Sequence, residues 1–173
     1  MKKWLSFLGA ITLLGTSTTS LVACNNIPQY NEDELQQLKK ENQIYTNCQE
    51  IKENLEWICP QEQPFNTVDN KWYYVVWRGE ENEEWKITKF QNKNKNNRHY
   101  EIDIKERINF VSSLMNVRND LLITDTPSRV VSTKYWNDDN GKYFKAVYRW
   151  NGEEQKLPNL DIDKDGNIKV NGE

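Results

Sequence analysis

The sequence predicts a single α+β domain: an amphipathic helical segment, then a mainly antiparallel β-sheet of about six to eight strands, with a sandwich or barrel-like closure as the variant. Three observations lead there. Leu35, Leu38, Tyr45, Cys48, Ile51, Leu55 and Ile58 recur in steps of three and four with Asn42 interrupting, the stripe of an amphipathic helix. From Asn66 onward the pattern turns to period two, as half-buried strands require. Asp139-Asn140-Gly141 then supplies a hairpin turn, because Asn-Gly tolerates the positive φ that such turns need.

Ahead of the domain, Met1-Lys2-Lys3 is followed by an apolar run, Trp4 to Leu14. A basic start and about ten apolar residues have the layout of a secretory signal, and the run falls short of the roughly twenty residues a membrane span needs. It closes on Leu21-Val22-Ala23-Cys24, which fits a bacterial lipobox. There the small Ala23 admits the signal peptidase, cleavage falls between Ala23 and Cys24, and the Cys24 thiol takes a diacylglyceryl group. Each buried methylene contributes about 0.8 kcal/mol, and two acyl chains together give stable anchoring where one does not. Residues 1–23 are therefore read as a lipoprotein signal and 24–31 as a lipidated polar tether, on the extracellular face of a cell membrane.

These residues carry a resemblance. Lys2 to Leu14 with Thr18-Thr19-Ser20-Leu21-Val22-Ala23-Cys24-Asn25 resembles the signal peptides of mollicute surface lipoproteins of the Spiroplasma type. The segments Trp72-Tyr73-Tyr74-Val75-Val76-Trp77-Arg78-Gly79 and Trp136-Asn137-Asp138-Asp139-Asn140-Gly141-Lys142-Tyr143-Phe144 share the general look of small proteins of that group. The resemblance implies exposure to the medium or a host. It implies no activity.

Loss of residues 1–23 leaves about 150 residues, enough for one core, and takes the formal charge from -3 to about -5. A nucleic-acid partner would need a basic stripe, which this balance does not favour. Asn31 is a candidate helix cap, with Glu32, Asp33 and Glu34 in the first turn where the dipole favours them. The helical segment is expected over 32–59, stopped by Pro60, and the β-rich domain over 60–173. Cys48 and Cys59 are a candidate disulfide in an oxidising compartment. Eleven residues of continuous helix would separate them by roughly 16 Å, against about 7 Å for bridged Cα atoms. Either the helix breaks between them or they do not pair.

Strands are expected over 71–78, 84–91, 99–104, 121–124, 129–137 and 142–150, with a last hairpin over 160–170 and 106–118 open between helix and strand. An internal echo aligns 69–78 with 140–149, giving apolar faces of Tyr73, Val75 and Trp77 and of Phe144, Ala146 and Tyr148. Trp72, Tyr74 and Tyr143 fall on the opposite face, where left uncovered they would form a candidate binding patch.

Asp161, Asp163, Asp165 and Gly166 match the opening positions of a calcium loop. Gly172 stands where a bidentate Glu is required, so a hairpin turn is the preferred reading and weak calcium binding the alternative. Lys93, Lys95, Arg98 and the lone His99 read as a solvated loop. With one histidine, no Gly-rich phosphate loop and no nucleophile elbow, no cofactor and no enzymatic activity are expected. The expectation is a surface protein that binds a protein or glycan in an adhesin-like or host-interaction role. The alternative is an accessory or substrate-binding subunit of a membrane complex such as a transporter.

Overall fold

The computed structural model describes residues 29–93, 99–105, 108–115, 118–125 and 133–173. The expected signal, Ala23, Cys24 and the tether up to residue 28 lie outside them, as do Lys95 and Arg98. Two helices, α1 (Glu32–Glu41) and α2 (Gln49–Asn54), precede β1 (Leu55–Trp57). Then come β2 (Trp72–Trp77), β3 (Lys86–Gln91), β4 (His99–Lys105), β5 (Ile108–Met115), β6 (Arg118–Asp125), β7 (Thr133–Tyr135), β8 (Phe144–Trp150), β9 (Leu160–Ile162) and β10 (Ile168–Val170). The chain is thus mixed α+β with mostly antiparallel sheets and few helices, as its sequence patterning predicts.

Asn31 starts α1 through a reciprocal capping box: its Oδ1 accepts from Glu34 N–H at 3.0 Å, and Glu34 Oε2 accepts from Asn31 N–H at 2.9 Å. The single helix expected over 32–59 is not formed. Asn42 ends α1, its N–H and side-chain amide both donating to Leu38 O. The chain resumes at α2, whose entry is pinned by the Glu173 carboxylate, an acceptor for Thr46 Oγ1 (2.7 Å), Asn47 N–H (3.0 Å) and Cys48 N–H (3.2 Å). At Leu55 pairing with β8 overrides helical periodicity, in the register Leu55↔Trp150, Glu56↔Arg149, Trp57↔Tyr148. Residues expected in the helix therefore supply a strand of the sheet. Cys48 and Cys59 are both free in this structure. The helix does break between them, α2 giving way to β1 at Leu55.

One four-stranded sheet runs β1-β8-β2-β3 and another β4-β5-β6-β7, with β9-β10 a separate hairpin; every pairing is antiparallel. The segment left open at 106–118 yields β5. Tyr73, Val75, Trp77, Phe90, Phe144 and Val147 of the first sheet pack against Leu121 and Ile123 of β6, with Ile58, Phe65 and Trp136 completing that core. This is the sandwich variant. On the other face of the first sheet, Tyr74, Tyr148 and Trp150 pack with Ile44, Ile51 and Leu55, and the β9–β10 hairpin adds Leu160, Ile168 and Val170.

The two echoing segments are neighbours in this sheet. β2 and β8 pair as Tyr74↔Tyr148, Val75↔Val147 and Val76↔Ala146, then shift to Trp77↔Phe144, leaving Lys145 as the extra residue of a bulge. The bulge corrects the expected apolar face of β8. Phe144 and Val147 enter the intersheet core, while Ala146 and Tyr148 face the second cluster. A one-residue slip exchanges faces because strand side chains alternate.

Gly166 closes the β9–β10 turn with φ +78°, and a Cβ there would stand 2.6 Å from Trp85 Cγ. Gly166→Ala combines a disfavoured φ with a clash, so we expect a loss of about 1–3 kcal/mol, read as a lower urea midpoint.

Candidate functional site

The face that would form a binding patch if left uncovered is covered at Trp72 and Tyr74. Tyr74 is buried, its Oη donating to Pro158 O at 2.9 Å, and desolvation pushes its phenol well above the ordinary value. Trp72 is half-buried against the second cluster. Tyr143 packs instead on the intersheet core, beneath the Lys134 ammonium 4.0 Å from its ring centroid. The covering residues, 44–55 and 157–170, are what make this face interior.

Asp163 and Asp165 lie in the β9–β10 turn and Asp161 in β9, so the segment is a hairpin, the preferred reading. Asp163 Oδ1 accepts from the N–H groups of Asp165 (2.8 Å) and Asn167 (2.9 Å), and Oδ2 from Asn167 Nδ2 (2.9 Å), which holds its carboxyl below the usual range. Asp161 Oδ2 lies 3.6 Å from Lys169 Nζ, and the Asp165 carbonyl accepts from Lys145 Nζ. Among the described residues no group of three acidic, cysteine or histidine side chains is placed to hold a metal ion, so the calcium alternative is not drawn together here.

The concave surface forms elsewhere, where β1 stops. Ile58 N–H donates to Val147 O at 2.9 Å as a last rung, then Cys59-Pro60 turns into a short 3-10 segment, Pro60–Glu62. Proline has no N–H to continue the ladder. β1 therefore pairs only with Tyr148–Trp150, and among the described residues no strand covers Phe144–Ala146 on that side of β8. A cavity of about 320 Å³ opens against this half-paired edge.

Trp136, Phe144 and Val147 bring intersheet core residues to the cavity, Trp57, Cys59 and Pro60 line it where β1 ends, and Tyr30, Leu38 and Asn42 reach it from α1 and its entry. Asn137, Asn140, Gly141 and Lys145 complete it. Asn137 Oδ1 is a buried acceptor with no hydrogen-bond partner among the described residues. Buried polar atoms are nearly always satisfied, so this oxygen is a point where a ligand donor would gain. Cys59 is 2% exposed, and burial pushes its thiol up, away from the reactive thiolate. A maleimide is expected to modify half-buried Cys48 at least about tenfold faster than Cys59 in the native protein, both reacting once the chain is unfolded.

Two sets of polar contacts hold α1 beside this cavity. Gln61 clamps Tyr30, its Oε1 accepting from Tyr30 N–H at 2.7 Å and its Nε2 donating to Tyr30 O at 3.0 Å. Lys39 Nζ meets Glu56 Oε1 at 2.5 Å and Glu62 Oε1 at 2.7 Å, while Arg149 Nη2 meets Glu56 Oε2 at 2.7 Å. Partial burial would raise the Glu56 carboxyl, but hydrogen bonds from Lys39, Asn151 and Arg149 outweigh it and hold it at about 2.

Sequence reasoning missed Tyr30, Trp57, Trp136 and Asn137 as site residues. The visible signal was Pro60, a stop that ends a strand as readily as a helix. No protein-family model, curated protein or solved structure matches this chain.

Proposed function

We propose that the chain is a lipid-anchored surface protein, exported by residues 1–23 and held through Cys24, that binds a protein or glycan without transforming it. The observation that carries this reading is Leu21-Val22-Ala23-Cys24, which follows the short apolar run Trp4–Leu14 after a six-residue tract of small residues. The domain is consistent with it. Among the described cavity-lining residues the side chains are apolar, aromatic and amide groups with one lysine and one buried thiol, a set suited to holding a ligand.

The accessory-subunit reading has its own support. Five residues separate Cys24 from Tyr30, where the Gln61 clamp begins. Fully extended, they reach roughly 20 Å. The cavity beside Tyr30 would then stand close to the bilayer, within range of proteins in the same membrane.

Proximity crosslinking on intact cells, with and without host cells, tests the two. Host proteins or glycoconjugates among the products support the adhesin-like role. Products confined to bacterial membrane proteins replace it with the accessory role, and capture of neither contradicts a binding function.

A further inference from the structure

A second cavity, of about 290 Å³, lies at the opposite end of β8 and shares no lining residue with the first. It forms where three strands run out on one rung. Trp72, the first residue of β2, stands opposite Gln91, the last of β3, and opposite Trp150, the last of β8. Residues directly opposite in a ladder present their side chains on the same face, so two indoles and an amide lie side by side there. All three line the cavity, joined by Asn70, Lys71 and Glu154 from the segments beyond the strand ends. Trp72 is only half-buried by the residues that cover Tyr74.

Its polar groups divide into two sets. The main chain is engaged: Asn70 N–H donates to Asn92 O at 3.0 Å and Lys71 N–H to Asp69 Oδ1 at 3.0 Å. The carbonyls of Asn70 and Lys71 accept from Gln91 Nε2 (3.1 Å) and Asn92 N–H (2.9 Å). Trp150 Nε1 is also satisfied, donating to Glu153 O at 2.8 Å. Trp72 Nε1, by contrast, is shielded from solvent and has no partner among the described residues. Glu154 is exposed, and its carboxylate has no hydrogen bond or ion pair among the described residues. A shielded donor left unpaired carries its full desolvation cost, so an acceptor brought by a ligand gains there.

We propose that this cavity receives a sugar ring of a neutral glycan. A pyranose has apolar C–H surface to lay against the Trp72 indole, and each of its hydroxyls both donates and accepts. One ring can therefore meet the indole N–H and the Glu154 carboxylate together. An acceptor-only anion meets the N–H and Lys71 but sets its charge beside two carboxylates, Asp69 and Glu154. A cation leaves the N–H unmet. A peptide is held foremost through main-chain bonds, and those groups of Asn70 and Lys71 are already engaged. The inference rests on the proposed surface-binding function and names its ligand.

The test titrates the full-length chain in detergent micelles with neutral oligosaccharides of glucose, galactose, mannose and N-acetylglucosamine, beside acidic oligosaccharides and linear peptides, and reads the indole N–H signals. At least one neutral oligosaccharide is expected to bind and to shift the Trp72 signal while leaving that of Trp136, in the first cavity, in place. Glu154→Gln, an exposed substitution expected to leave the urea midpoint unchanged, should weaken that binding at least about fivefold, because hydrogen bonds to a charged group are the stronger ones. Trp72→Phe removes the donor, keeps an aromatic ring, and should weaken it at least about tenfold. No neutral saccharide bound, a shift confined to Trp136, or binding undiminished in either variant overturns the inference. Binding of peptides or acidic saccharides alone overturns it too. Each of those outcomes leaves the proposed surface-binding function intact, which crosslinking on cells tests separately.

Discussion

Trp77→Ala is expected to destabilise the domain by about 3–5 kcal/mol, the range for truncating a large buried aromatic. Trp77 is fully buried in the intersheet core. Its Nε1 donates to Thr88 Oγ1 at 2.9 Å, and Thr88 Oγ1 donates to Asp103 Oδ2 at 2.9 Å, so one side chain fills the core and links β2 through β3 to β4. Truncation leaves a cavity that a two-sheet core cannot readily collapse and removes the donor to Thr88. A domain of this size is commonly stable by only about 5–15 kcal/mol, so much of the folded population is at stake. Trp77→Phe, which keeps an aromatic ring but loses the N–H, is expected to cost distinctly less. Urea midpoints at constant slope measure both; equal losses for Ala and Phe would place the effect in the hydrogen bond rather than in packing.

Glu56→Gln is expected to cost about 1–2 kcal/mol at neutral pH and progressively less in acid. Glu56 joins Lys39 of α1 to Arg149 of β8, with a side chain 26% exposed, so solvent screening reduces its worth below that of a fully buried pair. Its carboxyl is depressed from 4.5 to about 2, so its contribution is fully present above pH 4.5 and is lost as the pH falls towards 2. The wild type and Glu56→Gln should therefore converge in stability between those values. Parallel urea curves from pH 7 to pH 2 give the result directly. A constant difference across that range would mean that the carboxylate charge contributes nothing.

The parts of the fold legible in sequence were those with local signals. His99-Tyr100-Glu101-Ile102-Asp103-Ile104 alternates cleanly and lies in β4, and Asn31 with Glu34 caps α1 where the acidic turn indicates. What failed depended on partners distant in the chain. Ile51, Leu55 and Ile58 fit a helical stripe, yet a short apolar run cannot reveal that Leu55 and Trp57 will pair with β8. The bulge at Lys145 exchanges the faces of Ala146 and Val147 without any mark in the local pattern. Whether Trp72 and Tyr74 are covered stays open in the sequence because Leu160, Ile168 and Val170, which help to cover them, come from the far end of the domain. The candidate site was hidden for the same reason. It exists only because β1 pairs with half of β8 and then meets Pro60.

On the proposed function, Cys24 carries a lipid that holds the domain at the membrane. Metabolic labelling with an alkyne fatty acid, followed by detergent-phase partitioning of the wild type and Cys24→Ser, tests it most directly. A labelled wild type in the detergent phase and an unlabelled, aqueous variant are expected. An unlabelled wild type in the aqueous phase would contradict it.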